Sequence, residues 1–142
     1  MERYMILLKP GGKCRLIRCD ADGTLTLQAM QVLVDGPIET ADSILDPSWA
    51  REPVDSIKLI LNEEGKLRRL PLNEDATDLY VHSGRDVIQG DALLAAAGGK
   101  ELIGFPCRCA RPWPRLGCWS WKHERPQQAL GRTALGQTPA GA

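Results

Sequence analysis

Residues 56–73 read SIKLILNEEGKLRRLPLN, and no other stretch restricts the fold as strongly. Ile57, Leu59 and Leu61 alternate with Lys58, Ile60 and Asn62, the period of two that an extended strand imposes on its side chains. Glu63-Glu64-Gly65 interrupts the run before Leu67 and Leu70 resume it. An alternation broken by an acidic turn ending in glycine predicts a β-hairpin with Gly65 as its left-handed bulge residue. Such a unit is scaffold for a sheet, and the other segments are read by how they extend or cover it.

Arg3–Lys9 reads as a first strand, Pro10-Gly11-Gly12 as its turn and residues 13–19 as the returning strand. Asp20-Ala21-Asp22-Gly23 makes the next turn, with Asp22 or Thr24 capping a helix whose apolar stripe is Leu25, Ala29, Val32 and Leu33. Gly36 stops that helix and Pro37 follows. Residues 38–41 read as a short edge strand, and residues 43–53 as a loop plugged by Trp49. Asn73 caps a second helix through about Tyr80, because Glu74, Asp75 and Asp78 put negative charge early and Ala76, Leu79 and Tyr80 form an apolar side. Residues 87–97 read as a strand interrupted at Gly90-Asp91, and Gly98-Gly99 turns the chain into residues 101–105. Strands outnumber helices and their turns are tight, so the expected fold is an α+β domain over residues 1–105, with a small mixed, mostly antiparallel sheet and two short helices.

At 142 residues the chain can bury a core without metals or disulfides. Its formal net charge of zero joins two unlike segments: residues 1–100 hold 12 Lys and Arg against 16 Asp and Glu, residues 101–142 hold 6 against 2. Residues 106–142 are basic, rich in Pro and Trp, and lack an apolar period, which predicts an irregular tail. The apolar residues 5–8 are too few to span a membrane and no signal-peptide core follows the start, so a cytoplasmic setting is expected. Five cysteines, an odd number, do not suggest a secreted disulfide framework, and free thiols fit better.

Three patterns carry candidate chemistry. Cys19-Asp20-Ala21-Asp22-Gly23-Thr24-Leu25 resembles the first motif of the haloacid-dehalogenase-like phosphatases, which would make Asp20 a nucleophile and Asp22 the handler of the leaving-group proton. That motif follows a buried parallel strand, whereas Arg15 and Arg18 charge the strand here, so an Asx turn opening a helix is the expected role. Cys107, Cys109, Cys118 and His123 could hold zinc, although one residue between the first two cysteines departs from usual zinc spacing. Trp113, Trp119 and Trp121 among Arg108, Arg111, Arg115, Lys122 and Arg125 would stack on bases and neutralise phosphates, so nucleic-acid or zinc binding through the tail is the alternative reading. His82 has no sequence neighbour with which to form a catalytic set. With no triad, phosphate loop or well-spaced ligand set, neither catalysis nor a cofactor is expected.

Four further segments occur in order: residues 5–12 (MILLKPGG), 33–39 (LVDGPIE), 62–67 (NEEGKL) with Leu70-Pro71-Leu72-Asn73, and 86–93 (DVIQGDAL). Together they resemble domain of unknown function 3846, found in phages, plasmids and bacterial genomes, over about residues 3–105. Within that resemblance Arg69 stands where a Gly commonly precedes the Leu-Pro. The resemblance implies a mobile-element setting, where small accessory proteins modulate host machinery by binding, and it supplies no catalytic residues. The expected binding surface is Arg68-Arg69-Leu70-Pro71-Leu72-Asn73, with Arg68, Arg69 and Asn73 as its polar residues and a protein as its partner. Pro71 stiffens this segment, and at least one arginine should face solvent, where its planar fork suits a carboxylate or phosphate.

Overall fold

The structure, a computed structural model, describes residues 2–106. Strands β1 (Arg3–Lys9) and β2 (Lys13–Arg18) form a hairpin whose turn uses Gly11 and Gly12 at φ 92° and 79°. Helix α1 (Leu27–Val34) leads to β3 (Ile38–Asp42), and a 3-10 turn at Pro47–Ala50 leads to β4 (Ser56–Asn62). Helix α2 (Glu74–Leu79) precedes β5 (Ala92–Gly98), β6 (Glu101–Ile103) and β7 (Phe105–Pro106). One sheet results, in the order β2-β1-β5-β4-β3, with β6 beside β5 and β7 beside β1 and every pairing between these strands antiparallel. The expected α+β architecture, a mostly antiparallel sheet with two helices, is the one observed.

Both faces of the central strands are buried. On one, Tyr4, Ile6, Leu8, Leu59, Leu61 and Leu94 pack beneath Ala76 and Leu79 of α2. On the other, Met5, Leu7, Ile60, Leu93 and Ala95 pack beneath Met30 and Val34 of α1. Each fully buried aliphatic side chain here contributes roughly 1.5–3 kcal/mol. Trp49 plugs the first layer as expected, meeting Phe105 edge to face with ring centroids 4.9 Å apart.

Several expectations are corrected. There is no hairpin at residues 56–73: β4 pairs with β3 and β5, and residues 63–69 coil through turns. Ile60 belongs to the α1 core, so the alternation marked two buried faces of a central strand rather than one arm of a hairpin. Gly65 is not left-handed; that conformation falls on Arg69, at φ 56°. Close packing is what demands glycine at 65, since a Cβ there would lie 2.3 Å from the Gln89 carbonyl oxygen. In α1 the cap is Thr26, whose hydroxyl accepts from Ala29 N at 3.0 Å, and the buried residues are Met30 and Val34. Of the expected apolar stripe, Leu25 and Leu33 pack against this core, whereas Val32 is 65% exposed. Asp35, not Gly36, takes the left-handed position that ends α1. Of the cysteines described, Cys19 carries a free, buried thiol, as expected. Among the described residues no helix is long and apolar enough to cross a membrane.

Candidate functional site

The segment from Glu63 to Asn73 carries the expected binding residues, and polar contacts hold it from both sides. Asn62, buried at the end of β4, donates through Nδ2 to Val34 O and Asp35 O at 2.9 and 3.1 Å and accepts from Glu64 N at 2.7 Å. The end of α1 is thereby tied to the start of the loop. Arg68 donates to Asp35 O at 2.6 Å and to the Asp35 carboxylate at 2.9 Å, placing a cation at the negative end of α1. On the opposite flank Lys66 pairs with Asp86, Gln89 Nε2 donates to Leu70 O at 2.9 Å, and Leu72 bridges to Gln89.

Asn73 caps α2 as expected, its Oδ1 accepting from Ala76 N at 3.1 Å. Its Nδ2 donates to Leu8 O and Gly90 O, both at 2.9 Å. Fully buried, it anchors the segment from below and presents nothing to solvent.

The loop displays Arg69 and, two residues before it and three after it in sequence, the apolar Leu67 and Leu72. Leu67 is 83% exposed, and Leu72 and Val87 are also exposed. Lys66 and Arg68 have carboxylate partners, whereas Arg69 is exposed and forms no ion pair among the described residues. Of the three expected binding residues, Arg68 and Arg69 are exposed, Arg68 engaged with Asp35, and Asn73 is buried. Sequence reasoning missed Leu67, Val87, Asn62 and Asp35. Asn62 carried a weak signal, a polar residue closing an apolar strand, and Leu67 carried none.

Beside the loop lies a cavity of about 90 Å³, whose lining includes Glu39, Leu61, Glu63, Lys66, Tyr80 and Asp86. The Lys66 ammonium and the Val87 N–H hold the Asp86 carboxyl below its usual pKa, while burial and the Asp86 charge push the Tyr80 phenol up.

Asp20 and Asp22 occupy a turn at the end of β2, an edge strand of an antiparallel sheet. Asp22 Oδ1 accepts from the Thr24 hydroxyl and amide at 2.8 and 3.0 Å, contacts that lower its pKa and make the Asx turn. His82 lies in an exposed turn, edge-on to Tyr80 and 3.3 Å from Arg85 Nη2. Cys107, Cys109, Cys118, His123 and the Trp-rich stretch fall outside the described residues.

The family model for Domain of unknown function (DUF3846) matches residues 1–110. No curated protein and no solved structure matches the chain.

Proposed function

The chain belongs to the DUF3846 family, and from that footing we propose that it is a small non-enzymatic binding module, an accessory protein of a mobile element that modulates cytoplasmic host machinery by engaging a protein partner. The observation that carries this reading is Arg69, an exposed cation at φ 56° with no ion pair among the described residues, on a loop fastened at both flanks that also exposes Leu67 and Leu72. A loop ordered before binding loses little entropy when a partner docks, and an arginine between apolar side chains is the usual make-up of an interface anchor. Asn73 contributes by holding the segment in place.

The test is affinity capture from a bacterial lysate with the full chain, Arg69→Glu and Leu67→Asp. Both substitutions change exposed side chains, so thermal melting should be unchanged while one specific protein is lost from the captured set. Salt-sensitive recovery of nucleic acid that disappears when residues 106–142 are removed would instead favour recognition through the tail.

A further inference from the structure

We propose that the outer edge of β3 is a second docking surface, which takes an extended segment of a partner protein and seats its Lys or Arg side chain in the neighbouring cavity. Among the described residues strand β3 pairs only with β4. Glu63 N donates to Pro37 O at 2.7 Å and Ser43 N to Ile57 O at 3.3 Å, so odd-numbered residues spend their backbone groups on β4. Ile38, Thr40 and Asp42 therefore aim their N–H and C=O groups away from the sheet.

Part of this edge is already used in the way proposed. Tyr80 bridges antiparallel to Ser43, Val81 N donates to Asp42 O at 3.2 Å, and Ile44 N donates to Leu79 O at 2.8 Å. Beyond that contact, the outward backbone groups of Ile38 and Thr40 have no partner among the described residues. Open strand edges of this kind accept an added strand, with main-chain bonds giving affinity and side-chain pockets giving specificity.

Charge identifies the occupant. Glu39 on β3 lines the cavity together with Leu61, Ile88 and Tyr80. Lys66 is matched by Asp86, which leaves Glu39 and Glu63 without an ion pair among the described residues. A Lys or Arg on the added strand would meet these carboxylates and the Tyr80 ring. A second copy fits poorly, because antiparallel pairing of two β3 strands through the open stretch at Ile38 and Thr40 would bring the Glu39 carboxylates of both copies to one face of the seam with no cation between them among the described residues.

The experiment is a backbone-amide NMR titration of the full chain with an alternating Thr-Val-Arg-Val-Thr peptide and its counterpart with Glu in place of Arg. The Arg peptide should shift the signals of Ile38, Glu39, Thr40 and Tyr80, and the Glu peptide should not. Thr40→Pro removes an outward N–H without costing a bond to β4, and should abolish the shifts while melting is retained. Glu39→Lys should weaken binding severalfold, whereas Arg69→Glu should leave it unchanged, which separates this edge from the loop. Equal binding of the two peptides, shifts elsewhere or persistence in Thr40→Pro would overturn the proposal. So would a Thr40 amide protected from exchange in the free chain, whether by a second copy or by the chain's own residues 107–142.

Discussion

Arg69 ends a short helical coil of the loop in a conformation that suits glycine. Leu70 N donates to Gly65 O at 2.9 Å and Arg69 N to Lys66 O at 3.1 Å, the paired bonds of a Schellman motif whose left-handed residue is Arg69. A side chain with a Cβ costs about 1–2 kcal/mol there. Arg69→Gly should therefore raise stability by about 0.5–1 kcal/mol in urea unfolding, part of the relieved strain being offset by the freer unfolded chain, while partner capture falls. If stability does not rise, no strain is stored at this residue for the sake of its side chain. Asn73 is the opposite case, a side chain whose value is structural. Asn73→Ala removes the α2 cap and leaves the Leu8 and Gly90 carbonyls without their donor, a combined loss of about 2–4 kcal/mol by the same measurement.

Among the elements, α1 shows how the stripe of a short amphipathic helix can be read only in part, since Leu25 and Leu33 pack against the core as expected but Val32 does not. Leu25, Ala29, Val32 and Leu33 satisfy a helical spacing, and Leu25 and Leu33 do line the core, yet the helix begins only at Leu27 and its fully covered residues are Met30 and Val34. In a helix of 8 residues, two overlapping apolar stripes fit nearly as well, and only the sheet beneath decides between them. Val34→Ala should cost about 2 kcal/mol because its side chain is fully buried against the sheet, whereas Val32→Ala should stay within about 0.5 kcal/mol. Paired urea melts of the two variants check this, and equal losses would restore the stripe read from spacing. The cap of α2 was legible because Asn followed by acidic residues is a local signal. The supposed second arm of the hairpin was not, because Leu67 and Leu70, three residues apart, suit a helical coil as readily as a strand and only tertiary contact shows Leu67 exposed.

At the scale of the whole molecule, most strands were legible, save the supposed arm after Gly65 and residues 87–91, which precede β5 rather than belong to it, and the strand order was not. β1 lies between β2, its sequence neighbour, and β5, whose Leu93 pairs with Leu7 from the far end of the fold. Neither β1 nor β5 alternates in polarity, since both faces of each are covered, and periodicity is silent about which buried strands adjoin. The site was half legible for the same reason: two adjacent arginines before a proline announce a surface, but Asn62 and Asp35 become its supports only when the ends of β4 and α1 meet. Two buried groups at one corner of the assembled sheet bear on its response to alkali. Tyr4, which pairs with Phe105, and Cys19, whose Sγ packs against Gly104, lie in opposite core layers there. Burial first, helped by Glu2 and Asp20, pushes both groups up to about 12 from ordinary values of 10.0 and 9.0. A raised pKa means that the folded chain keeps protons the unfolded chain has released, so their contribution is complete below about pH 9 and is lost as pH rises through about 12. Urea midpoints should therefore hold level from neutrality to about pH 9 and then fall continuously. Cys19→Ala should flatten the start of that fall and Tyr4→Phe its later part, even though each lowers the midpoint at neutral pH by losing packing or the 2.6 Å bond to Glu2. Because the two side chains occupy different layers, their effects on the alkaline slope should add, and a slope untouched by both substitutions would show that this corner does not govern it.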